Sequence, residues 1–342
     1  MNNKKHQKPG NRKPGNASQF DLMIIGGGVT GLAAAMYAGR LHLKTLVLGS
    51  TTGSEMPIGG TITLTEIVEN YPGFLRTSGP ELAEQMRNHA EDYSEYVAIR
   101  EERVVDVQQI CETSCFAVIT EKHQYSAKTI IFATGTQWRK LDIKGAEEFE
   151  NRGVQYCALC DGPLYRDQAV AIIGGSDTAV KEALLLAKYA KKVFVIYRGE
   201  KLRAEPVNAK RIENEPKIEV ICCTHVVEIR GNKVVESIVM DKAYKGEKEM
   251  KVDGVFGAIG NIPLSHLAKK LDVNTNDKQE IIIDHRDSST NIPGVFAAGD
   301  VTDKEFKQIA TGAAEGVLAA YSAYKYVNEN EFVCIFYDEQ YR

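Results

Sequence analysis

No stretch of this 342-residue sequence approaches the roughly 18 apolar residues of a membrane span, which argues against a helical membrane protein. Nor is there an apolar segment near the start to serve as a secretion signal. Met1 to Ala17 is basic and rich in Pro, Gly and Asn, a composition that reads as a disordered tail. Neither sign of charge dominates, and a net charge of -4 gives no case for a nucleic acid or a membrane surface as partner. Cysteines number seven, an odd count that argues against a disulfide framework. The thiols are expected to be reduced unless they do redox work, and the expected compartment is cytoplasmic.

What remains is long enough for two domains with separate cores. Phe20 to Ile25 reads as a strand, Gly26-Gly27-Gly28-Val29-Thr30-Gly31 as a turn, Leu32 to Arg40 as an Ala-rich helix and Thr45 to Leu48 as a strand. The pattern recurs far along the chain: strand Ala169 to Ile173, turn Gly174 to Ala179, helix Ala179 to Tyr189, strand Lys192 to Tyr197. Two such βαβ units predict an α/β protein with two Rossmann-like, doubly wound nucleotide-binding domains. Further strands are expected at Cys115 to His123, Tyr125 to Phe132, Ile281 to Ile283 and Val295 to Ala298, with an Ala-rich helix over Gln308 to Val327.

In the first unit, Gly26, Gly28 and Gly31 form G-x-G-x-x-G between strand and helix. The first glycine permits a tight turn, the second admits a pyrophosphate against the backbone, and the third lets helix and strand pack closely. The helix N-terminus then supplies oriented N–H groups for phosphate. Alone the motif is weak, because such a loop can be a mere connection; its context makes it a nucleotide site. An acid for the ribose is expected at the end of the second strand, but Leu48-Gly49-Ser50 provides none.

Cys157 and Cys160 are spaced as a Cys-x-x-Cys pair, which can close a small disulfide ring or expose a low-pKa thiolate. Half of a zinc site is the competing reading. It lacks a second ligand pair, since Cys222 and Cys223 are adjacent and Cys111, Cys115 and Cys334 are scattered. In the second unit Gly174, Ser176 and Ala179 hold the three key positions of the turn, with Asp177 and Thr178 between. Ser176 replaces the glycine at the closest phosphate approach. The next strand ends at Tyr197-Arg198-Gly199, with Arg203 beyond, where NAD sites carry an acid; a basic group suits a 2′-phosphate.

These segments, with Gly59-Gly60, Glu69-Asn70-Tyr71-Pro72-Gly73, Ala133-Thr134-Gly135, Cys157-Ala158-Leu159-Cys160-Asp161-Gly162 and Phe296-Ala297-Ala298-Gly299-Asp300-Val301, occur in one order. In that order the chain resembles the low-molecular-weight thioredoxin reductases from about Phe20 to Val327. The resemblance implies an FAD domain in two pieces, 18–138 and 262–328, with an NAD(P)H domain at 139–261 carrying the redox pair. The ends, a tail at 1–17 and an aromatic extension at 329–342, lie outside it.

It implies FAD as cofactor, held by Gly26, Gly28, Gly31, Asn70, Gly135, Gly299 and Asp300. Gln308, Ile309 and Ala310 would stand at a helix N-terminus beside the flavin. Thr61 stands where the family often has Gln. NADPH is the implied donor, at Gly174, Ser176, Asp177, Thr178, Ala179, Arg198 and Arg203. The family's second arginine is here Gly199, so NADH, reduced ferredoxin or a deazaflavin-type donor stays open. By resemblance Cys160 is the flavin-proximal thiol, Cys157 attacks the substrate disulfide, and Asp161 is the general acid or base, although Asp161 could merely cap a turn.

The implied partner is thioredoxin or a thioredoxin-like protein, and the implied assembly a homodimer. The alternatives are the same flavoenzyme with another donor, a dithiol oxidase, or a non-catalytic flavin-binding redox sensor. The aromatic residues Phe332 to Tyr341 are expected to pack on the FAD domain or a partner subunit, or to cap the flavin.

Overall fold

Short β-branched runs alternating with glycine turns and Ala-rich segments build two parallel-centred sheets, each covered on both faces. The computed structural model describes residues 19–50, 57–111 and 115–332. The expected tail at 1–17 and the aromatic extension beyond Phe332 lie outside them.

In chain order the first unit runs β1 (Gln19–Ile25), α1 (Val29–Arg40), β2 (Thr45–Gly49), α2 (Gly79–Glu91) and β3 (Val97–Glu101). β4 (Val104–Cys111), β5 (Cys115–Thr120) and β6 (Gln124–Phe132) follow. After β7 (Thr136–Trp138) comes the second unit. It contains β8 (Val154–Gln155), α3 (Ala158–Asp161), β9 (Ala169–Ile173), α4 (Asp177–Leu186), β10 (Lys192–Ile196), α5 (Pro206–Glu213) and β11 (Ile218–Ile221). An antiparallel trio, β12 (Val226–Gly231), β13 (Val235–Tyr244) and β14 (Glu247–Lys251), precedes β15 (Gly254–Gly257). The chain returns through β16 (Asn261–Pro263) and α6 (His266–Lys269) to β17 (Val295–Ala297) and α7 (Ile309–Glu329).

The first sheet has the order β3-β2-β1-β6-β5-β4, with β17 also paired to β6; the second has the order β11-β10-β9-β15-β8. β1 lies between parallel neighbours, with Leu22 opposite Thr45 and Met23 opposite Ile130. β9 lies likewise between β10 and β15. The apolar run Leu22-Met23-Ile24-Ile25 is wholly buried because both sheet faces are covered. Met23 and Ile25 join Phe116 and Phe132 on one face. Leu22 and Ile24 join Ala34, Ala35, Ala319 and Ala320 under α1 and α7 on the other. Each such large side chain contributes about 1.5–3 kcal/mol by burial. A Cβ at Gly316 of α7 would collide with the Thr30 carbonyl, so these small residues let α7 lie directly on α1.

The predicted strands and turns of both βαβ units form, as does the long final helix. Ile281 to Ile283 does not become a strand. Ile281 makes only isolated bridges, to Thr275 and Thr302, before the chain turns at Asp284. Its alternating burial, with Ile281 and Ile283 inside and Ile282 out, reproduces the pattern of a strand without a ladder to join. β12 to β14, whose buried residues alternate with charged exposed ones and of which β14 is mostly exposed, carried no signal strong enough to be predicted. No helix among the described residues is long and apolar enough to cross a membrane.

Candidate functional site

The first turn is shaped for phosphate by exclusion of side chains. Gly26 sits at φ +109°, in the left-handed region, and a Cβ there would collide with the Ala133 carbonyl; one at Gly31 would collide with the Gly26 carbonyl. Gly28 is the N-cap of α1 and provides no side-chain cap, so the first N–H groups of that 12-residue helix face an open cradle. Gly59 N–H donates to the Gly27 carbonyl (2.8 Å), which sets Gly59-Gly60 beside the turn. Thr61 begins a single 3-10 turn, Thr61–Leu64.

Pieces remote in sequence close on the same cradle. The turn Gly299–Val301 packs on α1: a Cβ on Gly299 would stand 2.6 Å from Thr30 Oγ1. Its position is pinned from behind. Gly299 N–H donates to Glu315 (2.7 Å), and Glu315 pairs with the buried Lys304 (3.1 Å). Burial raises the pKa of the Asp300 carboxyl, while Lys304 and Lys307 pull it down. A largely buried carboxyl in that position suits a hydroxyl-rich ligand chain.

Asn70 Nδ2 donates to Gln308 Oε1 (2.9 Å), and Gln308 caps α7, whose first residues are Ile309 and Ala310. Gly135 follows Thr134, whose hydroxyl donates to the Leu264 carbonyl (2.7 Å), and a Cβ on Gly135 would meet nothing within 4 Å. The shape, the open glycines and the N–H donors fit a flavin dinucleotide.

Sequence reasoning missed Thr30, Lys304, Lys307 and Glu315. It also missed a narrow crevice lined by Ile25, Leu48, Gly49, Ser50, Glu102, Arg103 and Val104, at the end of β2 where a ribose-binding acid was sought. Glu102 comes to this place from the turn after β3. It accepts from Thr120 (2.8 Å) and Tyr125 (3.0 Å) and contacts His123 (3.0 Å). Burial alone would raise its pKa, but these partners outweigh it and hold the carboxyl below its ordinary range. No spacing rule pointed there, because the acid is supplied by a neighbouring strand.

Cys157 and Cys160 form a disulfide across α3, with Cα atoms 5.3 Å apart. Cys157 is the N-cap and its sulfur accepts the Cys160 N–H (3.1 Å), a bond that stabilises a thiolate at Cys157. The two differ in access: Cys160 is exposed, whereas Cys157 is only 8% exposed. The expectation gave the attack on a partner to Cys157, whereas in this arrangement Cys160 presents the more exposed sulfur. Asp161 follows, half-buried, with its pKa raised by burial, so it keeps its proton at higher pH than an ordinary aspartate. Cys115 is disulfide-bonded too, contrary to the expectation of reduced thiols elsewhere.

The second turn repeats the first with one substitution. Ser176 is the N-cap of α4, and its hydroxyl oxygen accepts the Ala179 N–H (3.4 Å), leaving its proton free to donate. Asp177 is held by the protein's own groups. It accepts from Glu205 N–H (2.8 Å) and Asn208 (2.9 Å) and pairs with Lys181 (2.7 Å). Burial would raise its pKa, but these contacts hold it low. Thr178 lies in the first turn of α4.

Arg203 N–H donates to the Gly175 carbonyl (2.7 Å), which brings Arg203 beside the turn. The Tyr197 ring lies against Gly175 and Gly199: a Cβ on Gly199 would be 2.5 Å from it. That contact explains the glycine where a second arginine was sought.

The profile of the pyridine nucleotide-disulphide oxidoreductases matches residues 20–316. The thioredoxin reductase of Listeria innocua is 37% identical over 313 residues, 91% of this chain and 94% of that protein. Among solved structures, the thioredoxin reductase of Lactococcus lactis in its FR conformation is 39% identical and superposes with a TM-score of 0.84, covering 91% of this chain and all of that one. That of Streptococcus pyogenes is 36% identical over 91% of this chain and 99% of its own, with a TM-score of 0.59. With both glycine turns, the closed Cys157–Cys160 pair and this likeness along the chain, the protein belongs to the pyridine nucleotide-disulphide oxidoreductases, in the low-molecular-weight thioredoxin reductase family, and is a flavoprotein disulfide reductase.

Proposed function

We propose that the chain reduces the disulfide of thioredoxin or a thioredoxin-like protein with electrons from NADPH. The observation that carries this reading is a Cys-x-x-Cys disulfide with one exposed sulfur on the unit that also bears the second nucleotide turn. Arg198 and Arg203 support NADPH over NADH, since guanidinium suits a 2′-phosphate and Arg198 stands just past the strand end where NAD sites carry an acid. The first turn, Asn70, Gly135, Gly299, Asp300 and Gln308 to Ala310 would hold FAD. The domain division is 18–138 with 262–328 for FAD and 139–261 for the donor. The reading extends to a homodimer in the cytoplasm.

The chemistry that FAD supplies when bound is the relay of two electrons from the nicotinamide to the disulfide. In the dithiol that results, the Cys160 thiolate attacks one sulfur of the partner disulfide and expels the other as a thiolate. Asp161, whose proton burial helps to hold, can supply the proton that this leaving sulfur takes. Cys157, with its charge held by the Cys160 N–H, then attacks the Cys160 sulfur, expels the second partner sulfur as a thiolate that takes a proton from water, and restores the ring.

Mass spectrometry of single variants tests the order. With a thioredoxin disulfide, Cys157→Ser should accumulate a mixed disulfide at Cys160, and Cys160→Ser should form none. An adduct at Cys157 instead would reverse the order. Wild-type protein whose flavin is bleached by neither NADPH nor NADH would remove the donor assignment.

A further inference from the structure

Two ion pairs join the units on one side. Glu66 and Glu69, on the segment leading to Asn70, meet Lys188 just beyond α4 (2.5 Å) and Arg211 on α5 (2.8 Å). The second pair continues towards both nucleotide turns. Arg211 reaches Asn208 (3.5 Å), the buried Asn208 donates to Asp177, and Asp177 belongs to the donor turn. On the other side Glu69 adjoins Asn70, which is bonded to Gln308 at the start of α7. A continuous polar path thus runs from the donor turn to the flavin-side helix, and it crosses between the units at Glu69–Arg211.

The same relation need not hold throughout the reaction. In the present orientation Cys160 is open to solvent, and on the flavin reading above the second unit would turn to carry the disulfide to the Asn70–Gln308 surface. The two crossings between units, β7 and β16, pair with each other antiparallel, with Ile262 opposite Gln137, and form a single narrow strap about which such a turn can occur. Two structural relatives, equally covered and similar in identity, superpose with TM-scores of 0.84 and 0.59, a spread that a turn of one unit against the other would produce.

We infer that Glu66–Lys188 and Glu69–Arg211 form an electrostatic latch for the orientation in which Cys160 faces outward. These four are positioning residues: they act through the placement of the donor turn and the redox pair, not on the reacting atoms. The inference rests on the flavin and disulfide reading above. All four side chains are between 37% and 49% exposed, so the latch is weak enough to open in each turnover and is screened by salt.

The test uses full-length, FAD-loaded protein and small-angle X-ray scattering at about 20 mM and about 0.5 M salt. At low salt the wild type should fit the present arrangement. High salt, E66Q/E69Q, and K188Q/R211Q from the opposite side should each shift the equilibrium between orientations by about two- to thirtyfold. The swap E69R/R211E should restore the low-salt profile and its salt response.

Profiles of E66Q/E69Q and wild type that coincide at both salts, or a swap that behaves like E66Q/E69Q, would overturn the latch. Rapid-mixing reduction of the flavin is recorded on the same samples. A wild type that NADPH and NADH fail to reduce counts against the proposed donor, and the scattering result decides the latch by itself.

Discussion

Asn70 Nδ2 donates a 2.9 Å hydrogen bond to Gln308 Oε1, across 238 residues of sequence. The bond joins the segment after the first βαβ unit to the N-terminus of the last helix, the two pieces between which an isoalloxazine would lie. A partly exposed hydrogen bond contributes about 0.5–1.5 kcal/mol. Asn70→Ala and Gln308→Ala should therefore each weaken FAD binding about two- to tenfold. If the pair acts as one unit, the double variant loses little more than either single one. Fluorescence titration of apoprotein with FAD measures this, and fully additive losses would show that the two residues act separately.

Asp161 is held protonated to higher pH than an ordinary aspartate because burial penalises its carboxylate. Its contribution as an acid is full at low pH and declines as pH rises through that raised pKa. Asp161→Asn should slow disulfide reduction on the order of a hundredfold and remove this alkaline decline. Stopped-flow thiol release across pH provides the measurement. An unchanged pH profile in the variant would assign Asp161 to capping alone.

Glu182 of α4 keeps part of its side chain accessible, but one carboxyl oxygen is sealed from solvent with no hydrogen-bond partner, and burial pushes its pKa to about 8. The group is neutral in the folded protein at neutral pH and ionised in the unfolded chain, whose carboxyl titrates near 4.5. Its contribution to stability is full below the unfolded value and is lost as pH rises towards about 8. Glu182→Gln should leave Tm nearly unchanged at acid pH and raise stability above about pH 8 by on the order of a few kcal/mol. Thermal melts over that range decide it; a gain that does not depend on pH would mean the carboxyl is not buried neutral.

Tyr197 leaves no room for a side chain at Gly199. Gly199→Ala should cost about 1–3 kcal/mol through overpacking, and Tyr197→Ala in the same chain should recover part of it. By the same contact, Gly199→Arg should not tighten NADPH unless Tyr197 is shortened as well. Donor titration followed by flavin absorbance checks the second statement, and tighter binding by Gly199→Arg alone would refute it.

Both βαβ units were legible from the sequence because each packs several local signals into few residues: an apolar run, glycines at fixed offsets, then small helix formers. The redox pair was legible for the same reason, as its spacing is its geometry. Ile281 to Ile283 misled because three β-branched residues specify extended backbone, while a strand also needs a neighbour with free N–H and C=O groups. Glu102 and Glu315 gave no signal. A carboxylate acquires its role from what packs beside it, here Thr120 and His123 for Glu102 and Lys304 for Glu315.

From its order of residues alone this chain was bound to make two nucleotide-binding turns and a dithiol pair, since those depend on contacts within a few residues. Which cysteine faces a partner, why Gly199 must be glycine and how Glu69 meets Arg211 depend on contacts that the fold creates. They follow from how side chains pack around each turn and how two separately folded sheets are set against one another, and no local spacing encodes that.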